Sequence, residues 1–225
     1  MLLISIDGAC RRNGKPDCVA AGGVFITHLA DDSLKVKSTR TLSNYELKST
    51  NQRGELLALL TALDYVWASK EEAIIVTDSE YLFMAMNKGW YRVWLNKNWI
   101  TASGDPVKNK DIWQNICQAY LKCVESDIEI TFYHIKGHCI PFGKVTANGL
   151  LNTDSTGRAL LEAVYKKYDA LVDKKADKLL EAEELSRRNN GFTLGTTMLR
   201  EFVVRNVMAD AIATKCVDAA DALMA

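Results

Sequence analysis

Three acidic residues stand where apolar runs end or begin. Asp7 follows LLISI, Glu55 lies in the first turns of a stretch with helical periodicity, and Asp78 follows AIIVT. Taken singly, a strand-end Asp is a turn former and an early-helix Glu complements the helix dipole. Asp7 resists that account, because LLISID runs straight out of an apolar strand. If the strands and the helix pack as one pair of layers, these acids converge at one end of a sheet. Converging carboxylates repel one another and lose solvation unless cations neutralise them. An all-oxygen cluster, with neither Cys nor paired His beside it, suits Mg²⁺ or Mn²⁺ better than zinc. Two such ions about 4 Å apart suit phosphodiester cleavage, one activating water and the other stabilising the leaving oxygen.

The elements that must position these acids are legible from periodicity. Residues 2–6 form a short apolar strand running into the turn-like DGACRRNG, so Asp7 is expected to end that strand. Residues 19–29 read as a second strand and the alternating 34–42 as a half-exposed third, together an antiparallel meander. Leu56, Leu59, Leu60, Leu63 and Trp67 recur at three- and four-residue spacing, which predicts an amphipathic helix over 51–69. A buried strand at 73–77, a helix at 79–88, an aromatic stretch GWYRVWLNKNWI, a helix at 109–124 and a fifth strand at 128–135 follow. Residues 139–156 read as loop, 157–188 as a charged helical stretch broken at Asn189–Gly191, and 197–223 as a more apolar last helix. The expected fold is a five-stranded mixed α/β sheet flanked by helices, with a helical insertion before the last helix.

Composition narrows the class. The 225 residues carry 48% apolar and 25% charged side chains and no net formal charge, so phosphate binding must come from local patches. Arg11, Arg12 and Lys15 form one basic cluster and Lys88, Arg92 and Lys97 another, whereas the lysines of 166–178 read as a solvated face. Six scattered cysteines without a CxxC pair argue against structural zinc and a disulfide framework. MLLISID reaches Asp7 too soon for a secretory signal, and no run approaches a membrane span, so no membrane partner and a reducing cytoplasmic setting are expected.

Several motifs together resemble type 1 ribonuclease H. DGACRRNG resembles the family's first-strand motif, STNQRGELLALLTAL (49–63) its Thr-Asn-Asn-Arg-x-Glu helix opening, and VTDSEYL (76–82) its Thr-Asp-Ser-x-Tyr motif. GWYRVWLNKNWITASGDPVKNKDIWQNI (89–116) resembles the basic handle, and HIKGHCI (134–140) the Val-Lys-Gly-His loop. The resemblance covers residues 1–140 and about 200–217. It implies one ribonuclease H domain over 1–225 that hydrolyses the RNA strand of RNA–DNA hybrids with two Mg²⁺ ions (Mn²⁺ as substitute), leaving 5′-phosphate and 3′-hydroxyl ends. By the same resemblance Asp7, Glu55 and Asp78 hold the metals, and His138 assists product release or proton transfer. Asn51 and Gln52 contact the RNA minor groove, where 2′-hydroxyls mark RNA. Asn13, Thr50, Trp90 and Trp99 contact the DNA strand or shape its channel, and Cys10 packs on the substrate side rather than acting as nucleophile. The sequence departs from the pattern at the first-strand turn, where Gly14 stands alone with Pro16 displaced, and at Glu80, where the family has Gln.

The resemblance also implies a fourth metal carboxylate on the final helix, within Asn-Glu-x-Ala/Cys-Asp-x-Leu-Ala. NVMADAIA (206–213) offers Asp210 and DKKADKLL (173–180) offers Asp177. The former keeps Asn206, Ala209, Asp210 and Ala213 amid apolar residues, so Asp210 is the expected ligand. Residues 141–199 are then an insertion near the mouth of the site, with room for a protein partner, and the chain is expected to be a monomer. The rivals are an inactive or partner-recruiting hybrid-binding protein of the same fold and a DNA-directed nuclease of the superfamily.

Overall fold

β1 (Leu2–Arg11) is the centre of the sheet. It pairs antiparallel with β2 (Val19–Leu29), which pairs antiparallel with β3 (Val36–Leu47). On its other side β1 runs parallel to β4 (Ala73–Thr77), and β4 to β5 (Ile130–His134), giving the order β3-β2-β1-β4-β5. The helices are α1 (Asn51–Ser69), α2 (Glu80–Asn87), α3 (Trp90–Asn96), α4 (Lys110–Glu125) and α5 (Thr196–Ala222). This computed structural model describes residues 1–30, 35–137, 164–166 and 196–224. His138, Asp177 and nearly all of the expected insertion at 141–199 lie outside the described residues.

The two faces of the sheet are sorted by the two-residue period of its strands. Leu2, Ile4 and Ile6 of β1, with Val24 and Ile26 of β2, pack against Leu56, Leu59, Leu63 and Val66 of α1. The alternate residues Leu3, Phe25 and Val76 pack against Phe202, Val203, Val204, Met208 and Ile212 of α5. α1 begins at Thr50, whose hydroxyl accepts the Arg53 N–H at 3.3 Å, and ends at Lys70 in the left-handed conformation. α5 presses so closely on β2 that a Cβ on Gly23 would stand 3.0 Å from Ala213 Cα. Glycine is required there because the helix backbone occupies that space.

Two expected boundaries move. β1 does not end at Asp7: its parallel pairing with β4 stops at Ser5↔Val76, but its antiparallel pairing with β2 continues through Asp7↔Gly23 to Arg11↔Val19. β3 likewise runs on to Leu47 because every residue of 19–29 finds a partner on it save at one irregularity, between His28 and Leu29. The aromatic stretch contains a helix of its own, α3, entered through Gly89 at φ 68°.

Candidate active site

Asp7 therefore sits on β1 just past the point where β4 has ended, on the face covered by α5, and is buried. With β4 no longer alongside, the sheet opens there, and three further acids arrive from other elements. Asp78 follows the last residue of β4, Glu55 lies one turn into α1, and Asp210 lies on α5. Glu55 comes close because Gly8 has no side chain; a Cβ there would stand 2.7 Å from Glu55 Cγ.

Burial, first, and then the charges of Asp78, Asp210 and Glu55 push the Asp7 carboxyl well above the usual carboxylate range, against a lowering from the Gly8 N–H. Glu55 is raised too, mainly by burial with a contribution from Asp78, and lowered by the Ser79 hydroxyl. Asp7 and the three carboxylates whose charges reach it make a strongly negative end of the sheet.

Asp7, Glu55 and Asp78 are each held by donors of their own. The Gly8 N–H donates to Asp7 Oδ1 at 2.7 Å. Glu55 accepts from the Ser79 hydroxyl and, at 3.4 Å, from Asn51 Nδ2. Asp78 Oδ2 accepts from Asn206 Nδ2 at 3.4 Å, and Asn206 Oδ1 is buried with no hydrogen-bond partner among the described residues. Among the described residues no three His, Cys, Asp or Glu close around a single point as a ready-made metal nest. The donor set still fits Mg²⁺: it is all oxygen, partly buried, and destabilised by its own charge. Gly137 lies against this cluster. A Cβ there would be 3.0 Å from Asp78 Cγ and nearer still to Oδ2, and it is the last described residue before His138.

The expected substrate residues form a cleft beside the acids. Asn13, Thr50, Asn51 and Gln52 line it together with Lys108 and Asn109, around a volume of about 480 Å³. The Asn51 N–H donates to Asn13 Oδ1 at 3.3 Å, and Asn109 Nδ2 to Gln52 Oε1 at 3.0 Å. Gln52 and Lys108 also border a second, more apolar groove of about 580 Å³ that includes Trp90, Val93, Trp94 and Tyr81. Trp90 is 37% exposed on that groove, whereas Trp99 is 7% exposed and packs on Trp94 with ring centroids 6.4 Å apart. Trp99 thus supports the handle from within and does not border either cleft. Cys10 lies 3.9 Å from Asn13 Oδ1 with its thiol pushed up to about 12 by burial and by Cys18, as suits a packing residue and not a nucleophile.

One basic cluster is not what its composition suggests. Arg11 is paired with Asp218, and Arg12 with Asp17 and Asp221, so neither is a free phosphate contact. Lys88, Arg92 and Lys97 of the handle are exposed. Lys108, Asn109 and Ser79 join the site without having been singled out by residue type. Lys108 and Asn109 belong to the handle motif at 89–116, and Ser79 follows Asp78 directly, so their places in those motifs are the signal that could have found them. The described cysteines Cys10, Cys18, Cys117, Cys123 and Cys216 are free thiols, and no helix of the described residues is long and apolar enough to cross a membrane.

Comparison with known proteins agrees with this geometry. The RNase H family model matches residues 2–150. A Ribonuclease H of Chlorobium phaeobacteroides (strain BS1) is 39% identical over 137 residues, 60% of this chain and 82% of its own length. A Ribonuclease H of Clostridium botulinum (strain Hall) is 32% identical over 139 residues, 61% of this chain and 83% of its own. Among solved structures, a type 1 RNase H with the type 2 active-site motif, LC9-RNase H1, superposes with a TM-score of 0.51 at 21% identity. That match covers 61% of this chain and 63% of the other, and establishes the shared fold. With the family model spanning most of the chain and its relatives matched over four-fifths of their length, the protein belongs to the ribonuclease H family and is a ribonuclease H enzyme.

Proposed function

We propose that this enzyme cuts the RNA strand of RNA–DNA hybrids endonucleolytically at a two-metal carboxylate site, leaving 5′-phosphate and 3′-hydroxyl ends. The observation that carries the reading is the buried Asp7, whose charge is opposed by those of Asp78, Asp210 and Glu55 arriving from separate elements. Nothing in the packing of the core requires that arrangement, and cations relieve it. When bound, Mg²⁺ or Mn²⁺ activates the attacking water and neutralises charge on the leaving oxygen.

The chain's own residues do the rest. Asp7, Glu55, Asp78 and Asp210 hold the ions, with the Gly8 N–H, Asn51, Ser79 and Asn206 fixing the first three. Asn51 and Gln52, on the first turn of α1, read the 2′-hydroxyls that distinguish RNA from DNA. Asn13 and Thr50 border the same cleft, and Trp90 offers a flat face to the DNA strand in the adjoining groove. By the family resemblance His138, the residue after Gly137, moves a proton at the leaving oxygen or speeds product release. The insertion at 141–199 is open to a protein partner, and the enzyme works as a monomer.

The test is cleavage of a hybrid, a duplex DNA and a single-stranded RNA, each labelled on one strand, with Mg²⁺ and with chelator. Cutting confined to the RNA of the hybrid and dependent on Mg²⁺ is expected. Cutting of duplex DNA at a similar rate would assign the site to another substrate.

A further inference from the structure

The β1–β2 turn carries Asn13 into the substrate cleft, and it is fastened from an unexpected direction. The last turns of α5 lie on β1 and β2 through Val217 and Ala220, which are buried with Val19 and Ala21. One residue on from each, at the same three-residue spacing, stand Asp218 and Asp221. Arg11 Nε donates to Asp218 Oδ1 at 2.6 Å and Arg12 Nη1 to Asp221 Oδ2 at 2.9 Å, with Arg12 engaging both oxygens of Asp221. Such a two-pronged guanidinium–carboxylate pair fixes orientation as well as distance. Arg12 also donates to the Asp17 carbonyl at 3.0 Å, tying the far side of the turn. Its backbone holds the left-handed conformation at φ 56°, which for a non-glycine residue requires support from its surroundings. The next residue is Asn13, whose Oδ1 accepts the Asn51 N–H at 3.3 Å and lies 3.9 Å from the Cys10 sulfur.

We propose that the C-terminal end of α5 is a clamp on the substrate cleft: Asp218 and Asp221 are positioning residues that hold Arg11 and Arg12, and through them set Asn13 beside Asn51 for binding of the nucleic-acid backbone. The same helix carries Asp210, so one element fixes both a metal carboxylate and the cleft's outer wall. The apolar contacts of Val217 and Ala220 seat the helix, and the two acids transmit that seating to the turn. The pairs also keep two arginines out of the cleft, leaving Lys108 as the cation that borders it among the described residues.

The proposal rests on the reading of this cleft as the hybrid's seat, and one of its two readouts is independent of that reading. In the variant D218N/D221N, KM for the hybrid is expected to rise about fivefold with kcat within about twofold, because uniform binding is lost and the chemistry is not. The slope of log KM against log salt is expected to stay unchanged. Independently, alkylation mapped to Cys10 is expected to quicken about tenfold or more, since burial and Cys18 hold that thiol up to about 12 in the seated turn. D218E/D221E should restore both. If the double variant does not fold, D221N alone carries the test, since it leaves the Arg11–Asp218 pair in place. A lower KM with a steeper salt slope would overturn the proposal, because the acids would then merely mask two phosphate contacts. Unchanged KM and unchanged Cys10 alkylation would overturn it as well. Wild-type protein inactive on the hybrid, with faster Cys10 alkylation in the variant, would refute the substrate reading and leave the clamp standing.

Discussion

Gly137→Ala puts one methyl group against Asp78, one of the four proposed metal carboxylates. A Cβ at 137 would stand 3.0 Å from Asp78 Cγ, 3.2 Å from its Cβ and nearer still to Oδ2. Carbon atoms rest against one another at about 3.5–4.0 Å, so relieving the clash at Cγ alone requires a retreat of about 0.5–1 Å. Asp78 has little room to yield without losing its bond from Asn206 Nδ2, already 3.4 Å long. A displacement of about 1 Å at a catalytic group costs about 10²-fold in rate. The expected result is a loss of that order in kcat on a labelled hybrid, partly recovered at higher Mg²⁺, with the melting temperature within a few degrees of wild type. Stability is spared because Gly137 follows β5 and takes no part in either face of the core. A variant that keeps kcat within about threefold of wild type would show that Asp78 does not need its observed place, and would refute the argument.

Two further perturbations bear on the same site. Burial and three neighbouring charges raise the Asp7 carboxyl in the folded protein, so its ionisation opposes folding. That penalty is absent below the unfolded carboxyl's range near pH 4 and grows as pH rises through the folded value. Metal-free Asp7→Asn should therefore be more stable than wild type at neutral pH by about 1–3 kcal/mol, with the gap closing near pH 4, as read by denaturant unfolding at both pH values. Replacing Lys88, Arg92 and Lys97 with Ala should weaken hybrid binding and flatten its salt dependence by about 0.9 in log–log slope for each phosphate no longer neutralised; an unchanged slope would place these side chains away from the substrate.

Much of the fold is legible in the sequence because it is local. β2, β4 and α1 fall where alternation, β-branched residues and the leucine spacing place them. Asp7 and Asp78 announce themselves by ending apolar runs, although Asp7 is paired in mid-strand. Nothing in DGACR has strand character, and its pairing is imposed by Val19–Gly23 alongside. α3 is hidden because a seven-residue helix of Trp, Tyr, Val and Leu has no face whose period stands out. Arg11 and Arg12 read as a phosphate patch because their partners lie 207 and 209 residues away, a separation at which no local pattern exists. Asp210 is the reverse case. The family match ends at residue 150, yet the motif around Asn206 singles out Asp210, and α5 brings it within electrostatic reach of Asp7.

Four carboxylates, from β1, α1, the end of β4 and α5, are held to act as one metal-dependent site. The most direct test is Mg²⁺-dependent turnover of a labelled hybrid by D7N, E55Q, D78N, D210N and, as control, D177N. Each substitution removes one negative charge with little change in volume. The first four are expected to lose turnover by about 10²-fold or more while remaining folded, and D177N to stay close to wild type. Turnover retained by D210N and lost by D177N would contradict that assignment, and would move the fourth carboxylate off α5.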